Sequence, residues 1–185
     1  MTAFEGLTAG TWTLDPAHSE VAFTVRHAGI SKVRGIFEQT EAELHAGETA
    51  QDSSVRATVQ IASINTKNEG RDGHVKSAEF FDAENHPQMV FESTEITADG
   101  EDLTLVGNLT IKGETRPVTF TGEFGGVAVD PFGTTRAGFS ASTTISRKDF
   151  GITWNAALEA GGVMVSDKVR IDLDVEFTAP ESASN

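Results

Sequence analysis

Apolar and polar side chains alternate along most of the chain. In 20–26, Val21, Phe23 and Val25 alternate with Glu20, Thr24 and Arg26, and in 55–61 Val55, Ala57, Val59 and Ile61 alternate with Arg56, Thr58 and Gln60. The last segment is the most regular, with Val169, Ile171, Leu173, Val175 and Phe177 separated by Arg170, Asp172, Asp174 and Glu176. A period of two over so many positions predicts strands with one buried and one wet face, and therefore antiparallel sheet. Turn signals stand at Asp15-Pro16, His45-Ala46-Gly47, Asp99-Gly100, Lys112-Gly113, Asp130-Pro131-Phe132-Gly133 and Ser166-Asp167. They delimit strands near 11–14, 20–27, 35–46, 54–64, 88–97, 102–112, 116–129 and 134–146, with a further one at 167–178. Long antiparallel strands joined by short hairpins suit a coiled or closed sheet, because closure removes exposed edges.

Two stretches interrupt the alternation. The segment 66–87 is charged, carries His74 and His86, and holds a helical-looking piece at 73–81 that Pro87 stops. The segment 148–162 mixes Phe150, Ile152, Trp154 and Leu158 with glycines. Irregular stretches of ~20 residues inside a compact domain are often lids or binding elements, and both are placed at one mouth of the barrel. The expectation is one domain over 1–185, with a core at 10–178 and a flexible tail at 179–185.

Composition narrows the function. The chain has 185 residues, 14 basic and 28 acidic, for a formal charge of −14. Nucleic-acid binding draws on clustered Lys and Arg, and no basic run exists, so neither nucleic acid nor an anionic membrane surface is expected as partner. Cysteine is absent, which excludes disulfides, thiolate metal sites and a cysteine nucleophile. Met1 to Gly10 has no basic and apolar leader pattern, and no later run approaches the ~18 apolar residues of a membrane span. The corresponding expectation is a cytoplasmic chain that is not membrane-embedded.

Catalytic templates fail. Gly138-Phe139-Ser140-Ala141-Ser142 lacks the final glycine of a nucleophile elbow and lies in a strand pattern. Asp149-Phe150-Gly151 spells a kinase triplet, with no phosphate loop or catalytic loop upstream. His18, His27, His74 and His86 would suffice for a metal if they converged, yet they lack the short spacings of metal sites. No catalytic residue, metal or cofactor is assigned. The adjacent Phe80 and Phe81 either plug a barrel end or contact a ligand.

The barrel interior remains. Ala57, Gly107, Gly122, Ala137 and Ala141 stand at alternating positions where a dense core would take larger groups. Either they leave room for an elongated apolar cavity, or the glycines mark bends and close backbone approach. The alternation offers Phe23, Val25, Val59, Ile61, Leu105, Leu109, Phe120, Phe139 and Ile171 as lining. A register error of one residue would turn each of them outward.

Several motifs occur in one collinear order over about 10–177. They are Trp12-Thr13-Leu14-Asp15, Ala17-His18-Ser19, Phe23-Thr24-Val25-Arg26-His27 and Ser31-Lys32-Val33-Arg34-Gly35-Ile36-Phe37. Arg71-Asp72-Gly73-His74, Ala78-Glu79-Phe80-Phe81-Asp82, Pro87 and Phe91 follow. Gly107-Asn108-Leu109-Thr110-Ile111-Lys112-Gly113, Pro117-Val118 and Arg147-Lys148-Asp149-Phe150-Gly151 complete the set. The ordered set resembles the YceI-like family of polyisoprenoid-binding proteins. The resemblance implies an all-β, extended antiparallel eight-stranded lipocalin-like barrel with a helical, lid-like insertion around 66–87. It further implies a homodimer whose tunnel accepts a long isoprenoid or other amphiphilic chain. Many relatives carry a periplasmic leader, from which this sequence departs.

On this reading the chain is a non-catalytic carrier that holds a prenyl tail by buried area. A diphosphate head group would need cations at the mouth, for which Arg26, Arg34, Arg71 and Lys148 are candidates. A quinone would need only one or two donors, such as His27 or His74. Two alternatives stay open. One is an enzyme that acts on a bound lipid head with rim histidines; the other is a stress-related structural or interaction protein.

Overall fold

The structure is a computed structural model and describes residues 4–181; of the expected tail, 182–185 lie outside the described residues. The strands are β1 (Gly10–Leu14), β2 (Glu20–His27), β3 (Ser31–Phe37), β4 (Thr40–Ala46), β5 (Ser54–Gln60) and β6 (Ile64–Asn65). After the helix α1 (Glu69–Lys76) come β7 (Gln88–Asp99), β8 (Asp102–Ile111), β9 (Glu114–Val129), β10 (Thr135–Ser146) and β11 (Val165–Thr178). Every pairing between strands is antiparallel.

The sheet closes on itself. β1 pairs with β4 on one side and with the C-terminal end of β11 on the other, while β2 takes over the rest of β11 and pairs with β3, which pairs with β6. Thus β1 and β2, β3 and β4, and β5 and β6 are three long staves, each broken by a kink, and the barrel has eight staves in all. The expected continuous runs at 35–46 and 54–64 are corrected accordingly. The first starts at Ser31 and breaks after Phe37; the second breaks at a 3-10 turn, Ile61–Ser63. The two breaks lie side by side, because Glu38 N–H donates to the Ser63 carbonyl at 3.1 Å and Gln60 N–H to the Gln39 carbonyl at 3.0 Å. Neighbouring staves that kink at one level bend the wall without losing hydrogen bonds.

The helix also differs from expectation. It begins at Glu69 because the Asn68 side chain accepts from Arg71 N–H at 2.8 Å, and it ends at Lys76, before Phe80 and Phe81. An asparagine in this role satisfies one of the donors that a helix start leaves open. None of the helices in the described residues is long and apolar enough to cross a membrane.

Two apolar clusters fill the interior. At the end closed by β1, Trp12 is fully buried among Leu14, Leu44, Phe124, Ala137 and Phe177, and Phe4 and Leu7 of the preceding segment fold over this end. Toward α1, Ile61, Phe91, Phe120 and Phe150 form the second cluster. Small residues divide between the two roles left open above. Ala57 and Ala141 line a cavity, Ala137 is fully buried, and Gly107 and Gly122 mark close approach. A Cβ at Gly107 would lie 2.4 Å from the Phe91 ring, and one at Gly122 would lie 1.8 Å from the Ser140 carbonyl oxygen. Gly35 is a further case, with the Phe23 ring 2.4 Å from where its Cβ would be.

Candidate functional site

The barrel contains two apolar chambers. The outer one, about 280 Å³, lies under α1 and the segment after β10; the inner one, about 130 Å³, lies toward the β1 end. Val21 lines both, so they adjoin along β2. Alternation along β2 and β11 delivers the outer lining, with Val21, Phe23 and Val25 on one strand and Val165, Val169 and Ile171 on its neighbour. Both irregular segments contribute to this mouth: Thr66, Arg71, His74, Val75, Phe80 and Phe81 from the first, Ile152 and Trp154 from the second.

The candidates from the sequence divide into four groups. Phe23, Val25, Arg26, His27, Arg71, His74 and Ile171 surround the outer chamber. Leu105 and Phe139 line the inner one. Val59, Ile61, Leu109 and Phe120 are buried in the second cluster and line neither chamber, because their rings and branches close the packing between staves. Arg34 is excluded from the interior: Val33 takes the inward position, so Arg34 faces out and pairs with Glu20 at 2.6 Å. Lys148 is likewise exposed and away from the chamber.

The four histidines do not converge. His27 and His74 reach the mouth. His18 precedes the other end of β2, about 30 Å from His27 at ~3.3 Å per residue, and sits 2.7 Å from Asp15. His86 packs against the β8–β9 turn at Gly113. Asp15, His18 and Glu176 do form a group with metal-ligand reach. The Arg136 guanidinium already occupies it, 2.5 Å from Asp15 and 3.4 Å from Glu176. A cation in that position opposes a second one. The hydrogen bond from Arg136, followed by that from His18, lowers the Asp15 pKa to about 2.

The mouth is a connected set of contacts. Arg71 and His74 stand three apart on α1 and so share a face. The His74 ring meets Phe80 and Trp154 edge-on, with centroids 4.9 and 4.8 Å away, while its Nε2 lies 2.5 Å from Glu79. Arg71 donates from Nε and Nη2 to the hydroxyl and carbonyl of Thr66, at 2.9 and 2.6 Å. The Thr66 hydroxyl in turn donates to Asp72 at 2.5 Å.

Arg147 was not foreseen as a site residue, although it stands in a motif that carries the resemblance. It is 5% exposed and lines the outer chamber. Its guanidinium donates to four backbone carbonyls, those of Ile152, Trp154, Val165 and Ser166, at 2.8–3.2 Å. Burial lowers its pKa, and the Asp167 carboxylate partly opposes this from a distance. Sequence alone does not reveal this residue's role, because its acceptors lie 5 to 19 positions away. The chamber therefore combines apolar walls with three arginines and two histidines, and no Asp or Glu lines it. Such a chamber can hold an apolar chain and meet a polar head at its rim.

The sequence profile of the YceI-like domain matches residues 12–177. A UPF0312 protein of Staphylococcus aureus is 40% identical over 173 residues, spanning 92% of this chain and 98% of its own length. Among solved structures, the YceI protein of Campylobacter jejuni is 30% identical with a TM-score of 0.70, covering 84% of this chain and 90% of that one. A polyisoprenoid binding domain from Saccharophagus degradans has a TM-score of 0.68 at 15% identity, covering 91% and 98%, which is a likeness of fold alone.

Proposed function

Since the chain belongs to the YceI-like family, we propose that it is a non-catalytic carrier holding a long-chain isoprenoid or similar amphiphilic lipid inside its barrel. The observation that carries this reading is the pair of adjoining apolar chambers running inward from a rim of exposed Arg26, His27 and Arg71. A fold shared with a polyisoprenoid binding domain supports it. Energetically the chain would do the work. Each buried methylene contributes ~0.8 kcal/mol, whereas association costs ~4–15 kcal/mol, so about ten buried carbons are needed before binding becomes useful. Polar contacts along the walls are unnecessary; the rim fixes orientation.

Native mass spectrometry of protein from its own host, paired with organic extraction, tests the proposal. A stoichiometric amphiphile is the expected result. A clean apo mass, together with no uptake of any added amphiphile, overturns it.

A further inference from the structure

The arginines of this chain fall into two sets. Of the eight, Arg34, Arg56, Arg116, Arg136 and Arg170 are each ion-paired with a carboxylate, and none of these lines the outer chamber. The other three, Arg26, Arg71 and Arg147, carry no carboxylate partner among the described residues, and all three line it. With twice as many acids as bases in the sequence, a surface carboxylate for each of them would be easy to supply. Three acids around the mouth hydrogen-bond to other groups: Glu79 to His74, Asp72 to Thr66, and Asp167 to the Ser146 hydroxyl and the Lys148 amide.

These cations share one patch. The backbone amide of Arg26 donates to the Ser166 hydroxyl at 3.0 Å, which fixes the Arg26 main chain beside Ser166, and the carbonyl of that same Ser166 accepts from the Arg147 guanidinium at 2.8 Å. Arg147 also donates to the carbonyl of Trp154, whose ring meets His74, one turn along α1 from Arg71. A buried guanidinium whose hydrogen bonds all end on neutral carbonyls, with its nearest carboxylate influence, Asp167, acting only from a distance, is offset only in part, which favours an anion brought in from outside.

Volume limits the tail. An apolar cavity of ~150 Å³ takes benzene. By that measure the outer chamber of about 280 Å³ holds on the order of eleven carbons, and the addition of the inner 130 Å³ raises this to roughly sixteen.

Resting on the carrier reading above, we infer that the ligand is an amphiphile with an anionic head group, seated at Arg26, Arg71 and Arg147, on a single chain of about ten to sixteen carbons. The uncharged heads of quinones, alcohols and amides fit this rim less well, and a chain of forty carbons exceeds the interior.

Displacement of a fluorescent apolar probe tests both parts. The ligands are straight-chain fatty acids of eight to twenty carbons, the matching alcohols, and the fifteen-carbon prenyl alcohol with its monophosphate. The acid should bind at least ten-fold more tightly than its alcohol, as one charge-assisted contact allows, with a maximum between ten and sixteen carbons. Arg26→Gln and Arg71→Gln should each lower that ratio at least three-fold, the loss falling on the acid more than on the alcohol, and Arg71→Lys should restore part of it. Equal affinity for acid and alcohol, or for the prenyl alcohol and its monophosphate, overturns the anionic head while the carrier reading stands. Affinity that keeps rising to twenty carbons overturns the length limit. If neither acids nor alcohols bind, both readings fall together.

Discussion

At the closed end of the barrel, Arg136 lies between Asp15, Asp130 and Glu176, with nitrogen-to-oxygen distances of 2.5, 2.9 and 3.4 Å. At the mouth, Arg147 is more deeply buried and meets four carbonyls and no carboxylate. One arginine is ion-paired within its own chain, the other is not. The surroundings differ in the same sense. The closed end is packed by Trp12, Phe124 and Phe177 and covered by Phe4 and Leu7, whereas the mouth keeps an open chamber whose rim residues Arg26, His27 and Arg71 reach solvent. The closed end ion-pairs its arginine and keeps only the smaller space, about 130 Å³ against about 280 Å³ at the mouth. Binding capacity is greatest at the mouth, where the larger chamber meets arginines without a carboxylate partner, a local departure of the kind found at functional sites.

Replacement of Trp12 should break this contrast from the stable side, with the largest effect. Trp12 is fully buried and its Nε1 donates to the Thr8 carbonyl at 2.9 Å. Trp12→Ala should cost ~3–5 kcal/mol of unfolding free energy, read by urea denaturation, and leave the acid-to-alcohol preference of the remaining folded protein unchanged. A loss below ~1 kcal/mol would show that the β1 end does not anchor the barrel.

The boundary between the chambers gives the next effect. Val21 lines both, so Val21→Trp should fill the passage and cut the longest chain accepted from roughly sixteen to roughly eleven carbons. Affinity for a sixteen-carbon acid should fall about ten-fold or more, since each methylene excluded forfeits ~0.8 kcal/mol, while that for a ten-carbon acid holds. An unchanged chain-length profile would mean that ligands never pass Val21.

The sequence foreshadows these two ends unequally. Alternation in Val169, Ile171, Leu173, Val175 and Phe177 is a local property, and β11 covers it from Val165 to Thr178. A closed antiparallel sheet is in keeping with the same pattern, whereas its eight staves are implied by the family resemblance and not by the alternation. Arg147 is different, because its meaning depends on Val165 and Ser166, which reach it only after the chain has turned through 151–164. Arg34 shows the converse error. Its residue type suits a head group, but Val33 takes the inward position and one step along a strand reverses the face. Glycine is ambiguous for a similar reason: Gly107 lies beneath the Phe91 ring and Gly122 beside the Ser140 carbonyl, neither of which is near it in sequence.

A smaller effect is expected from Thr40. Its hydroxyl is buried, lines the inner chamber, and lacks a hydrogen-bond partner, unlike every other buried side-chain polar atom among the described residues. Thr40→Val replaces that hydroxyl with a methyl of similar shape and removes the cost of an unsatisfied donor, so stability should rise by about 1 kcal/mol. Thermal denaturation would show this as a higher midpoint. A lower one would indicate that the hydroxyl is satisfied, and that the inner chamber is not as apolar as its other walls.

The smallest effect separates the two ends by pH. The Arg136 hydrogen bond, aided by His18, holds the Asp15 carboxyl at about 2, below its ordinary 3.8. A carboxylate whose folded pKa is depressed adds stability that is fully present above the unfolded value and is lost as pH falls through the folded one. The contribution of Asp15 should therefore be complete at pH 6, decline below about pH 5, and vanish near pH 2. Asp130, lowered in the same direction by Arg136, adds to the trend. Arg147 relies on carbonyls, which do not titrate, so its four hydrogen bonds should persist over that range. Hydrogen exchange read residue by residue from pH 6 to 2.5 would compare the Ala17 amide, which donates to Asp15, with the Ile152 amide, which donates to the Arg147 carbonyl beside the mouth. After correction for intrinsic rates, protection at Ala17 should fall with pH while that at Ile152 stays flat, and Asp15→Asn should abolish the slope at Ala17. Equal slopes at both amides would show that the two ends open together, and that the division between an end whose arginine is ion-paired and a mouth whose arginines are not does not govern stability.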